Sequence, residues 1–213
     1  MTEAFLRGTT GERLRPAVDG FVRDVRALLA EAKPEDRWEP NCERIRARFQ
    51  ALLSDSNFKA HAESWPDSMS QEGKPGNLHF YEDPDFGFTL DALVRGPGIR
   101  SSIHDHGKTW TFYGVLAGGE RLKHFTAKGV APGELPSRAE IVCDRVVEAP
   151  PGYVECEPPW RIHAEYNGPD KTISVIMRSQ KSGPDSFVQN RYDPEGGGVS
   201  QYYGPKQIPF TLA

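Results

Sequence analysis

The sequence predicts a mainly β fold, a closed antiparallel barrel preceded by α-helices, and three observations lead there. Apolar residues recur at helical spacing before residue 60 and at strand spacing from residue 78 onward. Glycine and proline turn signals recur at short intervals through the second region. The 21 glycines and 18 prolines of the 213-residue chain exceed average usage, as a fold with many turns requires.

Val18, Phe21, Val22, Val25, Leu28 and Leu29 share one face between Pro16 and Pro34, with charged residues opposite, which predicts an amphipathic helix. A second helix is predicted after Asn41, a residue type that caps N-termini. Its stripe of Ile45, Phe49, Leu52 and Leu53 ends at Ser54-Asp55-Ser56-Asn57. Residues 63–77, rich in Ser, Pro, Gly and charge, predict a connecting loop. Phe86, Phe88, Leu90, Ala92 and Val94 alternate along one predicted strand. Turns at Gly96-Pro97-Gly98, Gly118-Gly119, Pro132-Gly133, Pro151-Gly152, Asn167-Gly168-Pro169 and Gly196-Gly197-Gly198 then separate short β-prone segments, the punctuation of a sandwich or barrel. The expected organisation is a single domain over residues 1–213, helical over 1–60 and barrel over 78–213.

Composition narrows the function classes. The formal net charge is −4, with both signs interspersed and no Lys/Arg run to track a phosphate backbone, so a nucleic-acid partner is not expected. No segment approaches the ~18 apolar residues of a membrane span, and "MTEAFLRGTTGERLRP" lacks the apolar stretch of a signal peptide. A cytoplasmic location is the expectation. Cys42, Cys143 and Cys156 are odd in number and form no C-x-x-C pair, which predicts neither a disulfide framework nor a structural zinc site. Cys156 then reads as an inert thiol.

The stretch "SSIHDHG" places His104 and His106 two residues apart, so on a strand both imidazoles face one side and can serve one ion. Taken alone, such a pair is more often two solvated or hydrogen-bonded histidines than a metal site. The flanks extend the pattern. Gly98, five residues, His104-x-His106, four residues, Thr111, six residues and Gly118 are followed by Gly152, five residues, Pro158, and then His163, three residues and Asn167. With these two motifs in this order the sequence resembles the cupin superfamily, whose jelly-roll barrel holds a metal near its mouth. Thr111 stands where a glutamate is usual, and Trp160 where a glycine is usual.

Within that superfamily "YEDPDFGFTLDALVRGPG", "SSIHDHG", "YGVLAGGE" and "RIHAEYNG", spanning roughly residues 78–178, resemble the thiol dioxygenases, the cysteine and mercaptopropionate dioxygenase family. The resemblance implies a cupin jelly-roll barrel with N-terminal α-helices and Fe(II) held by His104, His106 and His163 without a carboxylate. It further implies a small-molecule substrate to which O2 is added; with Thr111 at the glutamate position the site is neutral, and an anionic thiolate supplies the missing charge.

The sequence also departs from that family. The arginine that clamps the substrate carboxylate is absent, and Asn77 stands in its neighbourhood, able to hydrogen-bond but not to offer a charged fork. The Ser-x-His-x-Tyr run reads Ser174, Ile176 and Arg178. These three share a strand face, which leaves two placements for Arg178: into the barrel as a replacement clamp, or out to solvent. Candidate catalytic residues are therefore Ser174, Arg178 and His79. Asn77, Tyr81, Trp110, Trp160 and Arg178 are candidate substrate contacts, with Trp160 covering the pocket mouth. His61 and His124 carry no motif and read as surface residues. The expected activity is O2 addition to a small substrate other than cysteine. Two alternatives stay open: a three-histidine dioxygenase cleaving a C–C bond of a dicarbonyl or aromatic compound, and a non-catalytic cupin that binds metal or a small molecule.

Overall fold

The computed structural model describes residues 15–68, 76–181 and 188–212. Helices α1 (Arg15–Glu31), α2 (Cys42–Ser54) and the short α3 (Ser56–Ala62) come first. The polar run that closes α2 also starts α3, because the Asp55 side chain accepts from the Phe58 amide at 2.8 Å and caps a new helix. Asn41 occupies the N-cap position of α2 without a side-chain cap bond. Its amide instead donates to the Arg37 carbonyl at 3.0 Å and, more weakly, to the Leu28 carbonyl at 3.4 Å, tying the two helices together.

Two six-stranded sheets follow. The first runs β12 (Lys206–Pro209), β1 (Gly76–Glu82), β2 (Thr89–Arg95), β9 (Thr172–Arg178), β4 (Thr111–Ala117) and β7 (Val154–Glu157). The second runs β11 (Val199–Tyr202), β10 (Gln189–Tyr192), β3 (Ile103–His104), β8 (Ile162–Asn167), β5 (Glu120–Ala127) and β6 (Ile141–Ala149). All pairings are antiparallel except β1 with β12. The sheets face each other as a jelly-roll barrel, the fold class read from the sequence.

The alternation along β2 has a different meaning from the one its spacing suggests. The strand begins at Thr89, since Asp83 to Phe88 form a turn closed by the Asp83 amide on the Phe88 carbonyl at 2.7 Å. Phe88, Leu90, Ala92 and Val94 then pack outward against the helices, together with Phe112 and Leu116 of β4 and Ile173, Val175 and Met177 of β9. The opposite faces of these strands turn into the barrel and carry Leu93, Tyr113, Val115 and Ile176 among polar groups. Helix α2 approaches β4 closely at Gly114, where an added Cβ would lie 2.5 Å from Leu53 and 3.3 Å from Phe49.

The cysteines depart from the expectation of no disulfide. Cys42, at the start of α2, and Cys156, on β7, are joined by a disulfide with Cα atoms 6.4 Å apart, and Cys143 is the free, exposed cysteine. The 114-residue separation hides this pairing from any spacing rule. Among the described residues no helix is long and apolar enough to cross a membrane.

Candidate metal centre

His104 is the last residue of β3 and pairs in register with His163 of β8. His106 lies just beyond the strand, so strand alternation does not bring it to the same side. Asp105, buried between the two histidines, does so: it accepts from the Gly107 amide at 2.8 Å, from the Asn190 side chain at 2.9 Å and from the Tyr192 hydroxyl at 2.8 Å, folding the chain back. Trp160 adds a second tie. Its amide donates to the Gly107 carbonyl at 2.8 Å, and its φ of 66° is the left-handed conformation that the glycine usual at this position would adopt freely.

The three imidazoles converge, with ring centroids 4.7–5.0 Å apart, and form a group that could hold a metal ion. His104 Nδ1 lies 2.9 Å from the Ser102 carbonyl oxygen and His106 Nδ1 2.8 Å from the Thr111 hydroxyl. With those nitrogens engaged, the two Nε2 atoms face each other at 3.2 Å. Two imidazole lone pairs at that separation repel unless a cation or proton lies between them. Thr111, at the motif's glutamate position, thus supports a histidine instead of offering a carboxylate.

Burial pushes His104 down to about 4, and burial together with His163 and His104 pushes His106 well below its ordinary value. Both are neutral donors at neutral pH, the state in which imidazole binds a metal. For His163 burial acts in the same direction, but the Glu157 and Glu165 carboxylates outweigh it and raise the group. Glu165, two residues beyond His163 on β8, has an oxygen 3.6 Å from His163 Nε2. Burial works against its charge, yet His104, His163 and Arg95 hold it well below the carboxylate range.

A cavity of about 260 Å³ opens beside the histidines, lined by His104, His106, Glu165, Asn77, Leu93 and Ile176 and by four arginines: Arg95, Arg100, Arg178 and Arg191. Of the two placements open to Arg178, it takes the inward one. Its Nη1 donates to Asp91 at 2.7 Å, and the Asn77 amide, with its oxygen turned to the guanidinium, accepts at 3.2 Å. Arg191 has no carboxylate partner among the described residues; its guanidinium stacks 3.6 Å above the Tyr202 ring, and its buried Nε has no hydrogen-bond partner.

Several expected contacts do not reach this cavity. Ser174 is drawn to a buried network, its hydroxyl 2.9 Å from Glu120, whose other oxygen receives the Tyr113 hydroxyl at 2.5 Å. His79 sits behind the wall on Asp91, at 2.8 Å. Tyr81 packs in the helix-side core and donates to Asp83 at 2.8 Å. Trp110 is half-buried, its amide bonded to the Ser179 hydroxyl, and lies outside the cavity lining. Trp160 lines a different cavity, of about 280 Å³, with Pro132, Gly133 and Pro158, and so does not cover the mouth of the histidine cavity. His124 is 1% exposed on β5, paired with Glu157 at 2.8 Å, and His61 is half-buried, accepting from the Trp65 indole at 2.8 Å. His124 is therefore not a surface residue, whereas His61 keeps a partly exposed position.

No protein-family model matches the sequence, and no curated protein matches it. The structure is similar to the capsular polysaccharide assembling protein CapF from Staphylococcus aureus, at 14% identity over 91% of this chain and 47% of that one, with a TM-score of 0.40. It is also similar to an oxalate oxidase, at 16% identity over 55% of this chain and 56% of that one, TM-score 0.39. A third similarity is to a double-stranded β-helix domain protein from Klebsiella pneumoniae, at 15% identity over 63% of this chain and 90% of that one, TM-score 0.37. This chain spans about half the length of CapF.

Proposed function

We propose that the chain is a non-haem Fe(II) dioxygenase of the thiol dioxygenase type, adding O2 to a small anionic thiol other than cysteine. The observation that carries this reading is a single cavity joining two facing neutral imidazoles to four guanidinium groups. The donor set fits a cation, because His104 and His106 present unshared Nε2 atoms and His163 completes the group. Bound ferrous iron would supply the O2 chemistry, which no side chain here provides.

The chain's own residues do the rest. At about 260 Å³ the cavity is smaller than the ~300–1,000 Å³ of drug-sized sites, so the substrate is small. Arg191, held flat against Tyr202, receives the substrate's anionic group by a charge-assisted fork. Arg178, fixed by Asp91, adds positive potential and donors from the β9 wall. Leu93 and Ile176 offer an apolar surface to the stem and exclude water.

Anaerobic Fe(II) reconstitution followed by oxygen uptake over a panel of mercapto acids and uncharged thiols tests the proposal. Uptake with the acids, yielding a sulfinate, is the expected result; no uptake with any thiol while iron is bound overturns it. A second reading is favoured by Ile176, an apolar residue lining the cavity where the family has its histidine. A dicarbonyl or hydroxylated aromatic substrate undergoing C–C cleavage has no need of that histidine, and the same assay with diketones and phenols separates the two.

A further inference from the structure

We infer that Glu157, held by His124, is the positioning residue for His163 and sets the donor strength of the candidate metal centre. The inference rests on the reading that His104, His106 and His163 hold a metal ion, and not on the identity of the substrate. Behind the centre three buried side chains meet across the barrel. His163 Nδ1 lies 3.5 Å from Glu157 Oε1, and the same oxygen is 2.8 Å from His124 Nε2. His124 and His163 are partners on β5 and β8, whereas Glu157 reaches them from β7 of the other sheet. Their side chains are 1%, 5% and 5% exposed.

His163 differs from the other two histidines in one respect. His104 and His106 each have an Nδ1 contact at hydrogen-bond distance, but both ring nitrogens of His163 are buried without a hydrogen-bond partner. A ligating imidazole donates its remote N–H to an acceptor that fixes the tautomer and ring orientation. Glu157 stands where that acceptor is needed. A carboxylate there makes His163 a stronger donor than imidazoles resting on a carbonyl or a hydroxyl. The competing reading is a second cation among His124, Glu155 and Glu157, which also converge. Glu155 is already closed, however, by Arg145 at 2.7 Å on one oxygen and by the Tyr153 hydroxyl at 2.5 Å on the other.

Titration of the apo protein with Fe²⁺ and Co²⁺ tests the inference in wild type, Glu157→Gln, His124→Asn and, as control, Glu155→Gln. Glu157→Gln is expected to weaken metal affinity about 10–100-fold. It should also shift the Co²⁺ visible absorption and raise the Fe(III)/Fe(II) potential, two readouts that a loss of stability alone does not move. His124→Asn moves the same readouts less, and keeps the test open should Glu157→Gln not fold; Glu155→Gln moves none of them. Unchanged affinity, absorption and potential in Glu157→Gln overturn the inference. So does a second metal equivalent in wild type that Glu155→Gln removes. A wild type that binds no metal defeats this inference and the metal reading together, whereas absent thiol oxidation defeats the proposed activity alone.

Discussion

Replacing Arg178 by Met separates what this residue does for the fold from what it does in the cavity. Its guanidinium meets Asp91 at 2.7 Å, with the two side chains 3% and 1% exposed. Asp91 also has His79 at 2.8 Å and a weaker Thr89 hydroxyl at 3.4 Å. A close ion pair is worth about 4 kcal/mol at the effective dielectric of roughly 20 that suits such sites. Loss of one partner strands a buried charge, so Arg178→Met should cost about 3–5 kcal/mol of unfolding free energy. The double variant Arg178→Met with Asp91→Asn removes both charges and should recover most of that loss. Urea unfolding followed by tryptophan fluorescence measures both, and KM for any thiol that supports oxygen uptake, taken in the double variant, reads the cavity role without the stranded carboxylate. A single variant within about 1 kcal/mol of wild type, or a double variant no better than the single, would refute the buried-pair argument.

Three further outcomes follow from the fold. Burial opposes the charge on Asp83, but the Phe86 amide, Arg26, the Tyr81 hydroxyl and the Asp85 amide together hold it below the ordinary carboxylate value. Its contribution is therefore complete above that ordinary value and is lost as pH falls through the lower folded value. Asp83→Asn should lower stability at neutral pH and flatten the acid limb of a stability–pH curve; an unchanged limb contradicts the assignment. Gly114→Ala places a methyl against Leu53 and Phe49 and should cost about 1–3 kcal/mol by overpacking, measured by thermal unfolding, whereas no change would mean that α2 does not seat on β4. Thiol titration in denaturant without reductant should find one reactive cysteine, Cys143, rising to three after reduction; three before reduction contradicts the Cys42–Cys156 bond.

The helices and the barrel were legible because hydrophobic period changes where helix gives way to sheet, and the Val18–Leu29 and Ile45–Leu53 stripes are buried as the spacing requires. The His104, His106 and His163 convergence was legible from two spaced motifs. What spacing could not show is which face of a doubly covered strand looks inward. On β2 the apolar set packs under the helices, which left Asp91 and Arg95 for the interior. Tyr81 went to the helix side for the same reason. His124 carried no local motif, and its buried place depends on Glu157, 33 residues away. Glu165 did have a signal, the two-residue strand period from His163. Asp105 also had one, standing between two ligand-type residues, yet its role depends on Asn190 and Tyr192, 85 and 87 residues on.

A single ion held by three imidazoles, from β3, the loop after it and β8, is the proposed centre. X-ray absorption of the iron-reconstituted protein, with metal analysis of wild type, His106→Ala and His163→Ala, tests it most directly. One equivalent of iron with three imidazole nitrogens in its shell is expected, lost in both variants while the barrel still folds by circular dichroism. Iron absent from the wild type, or retained at full stoichiometry without His163, would contradict it.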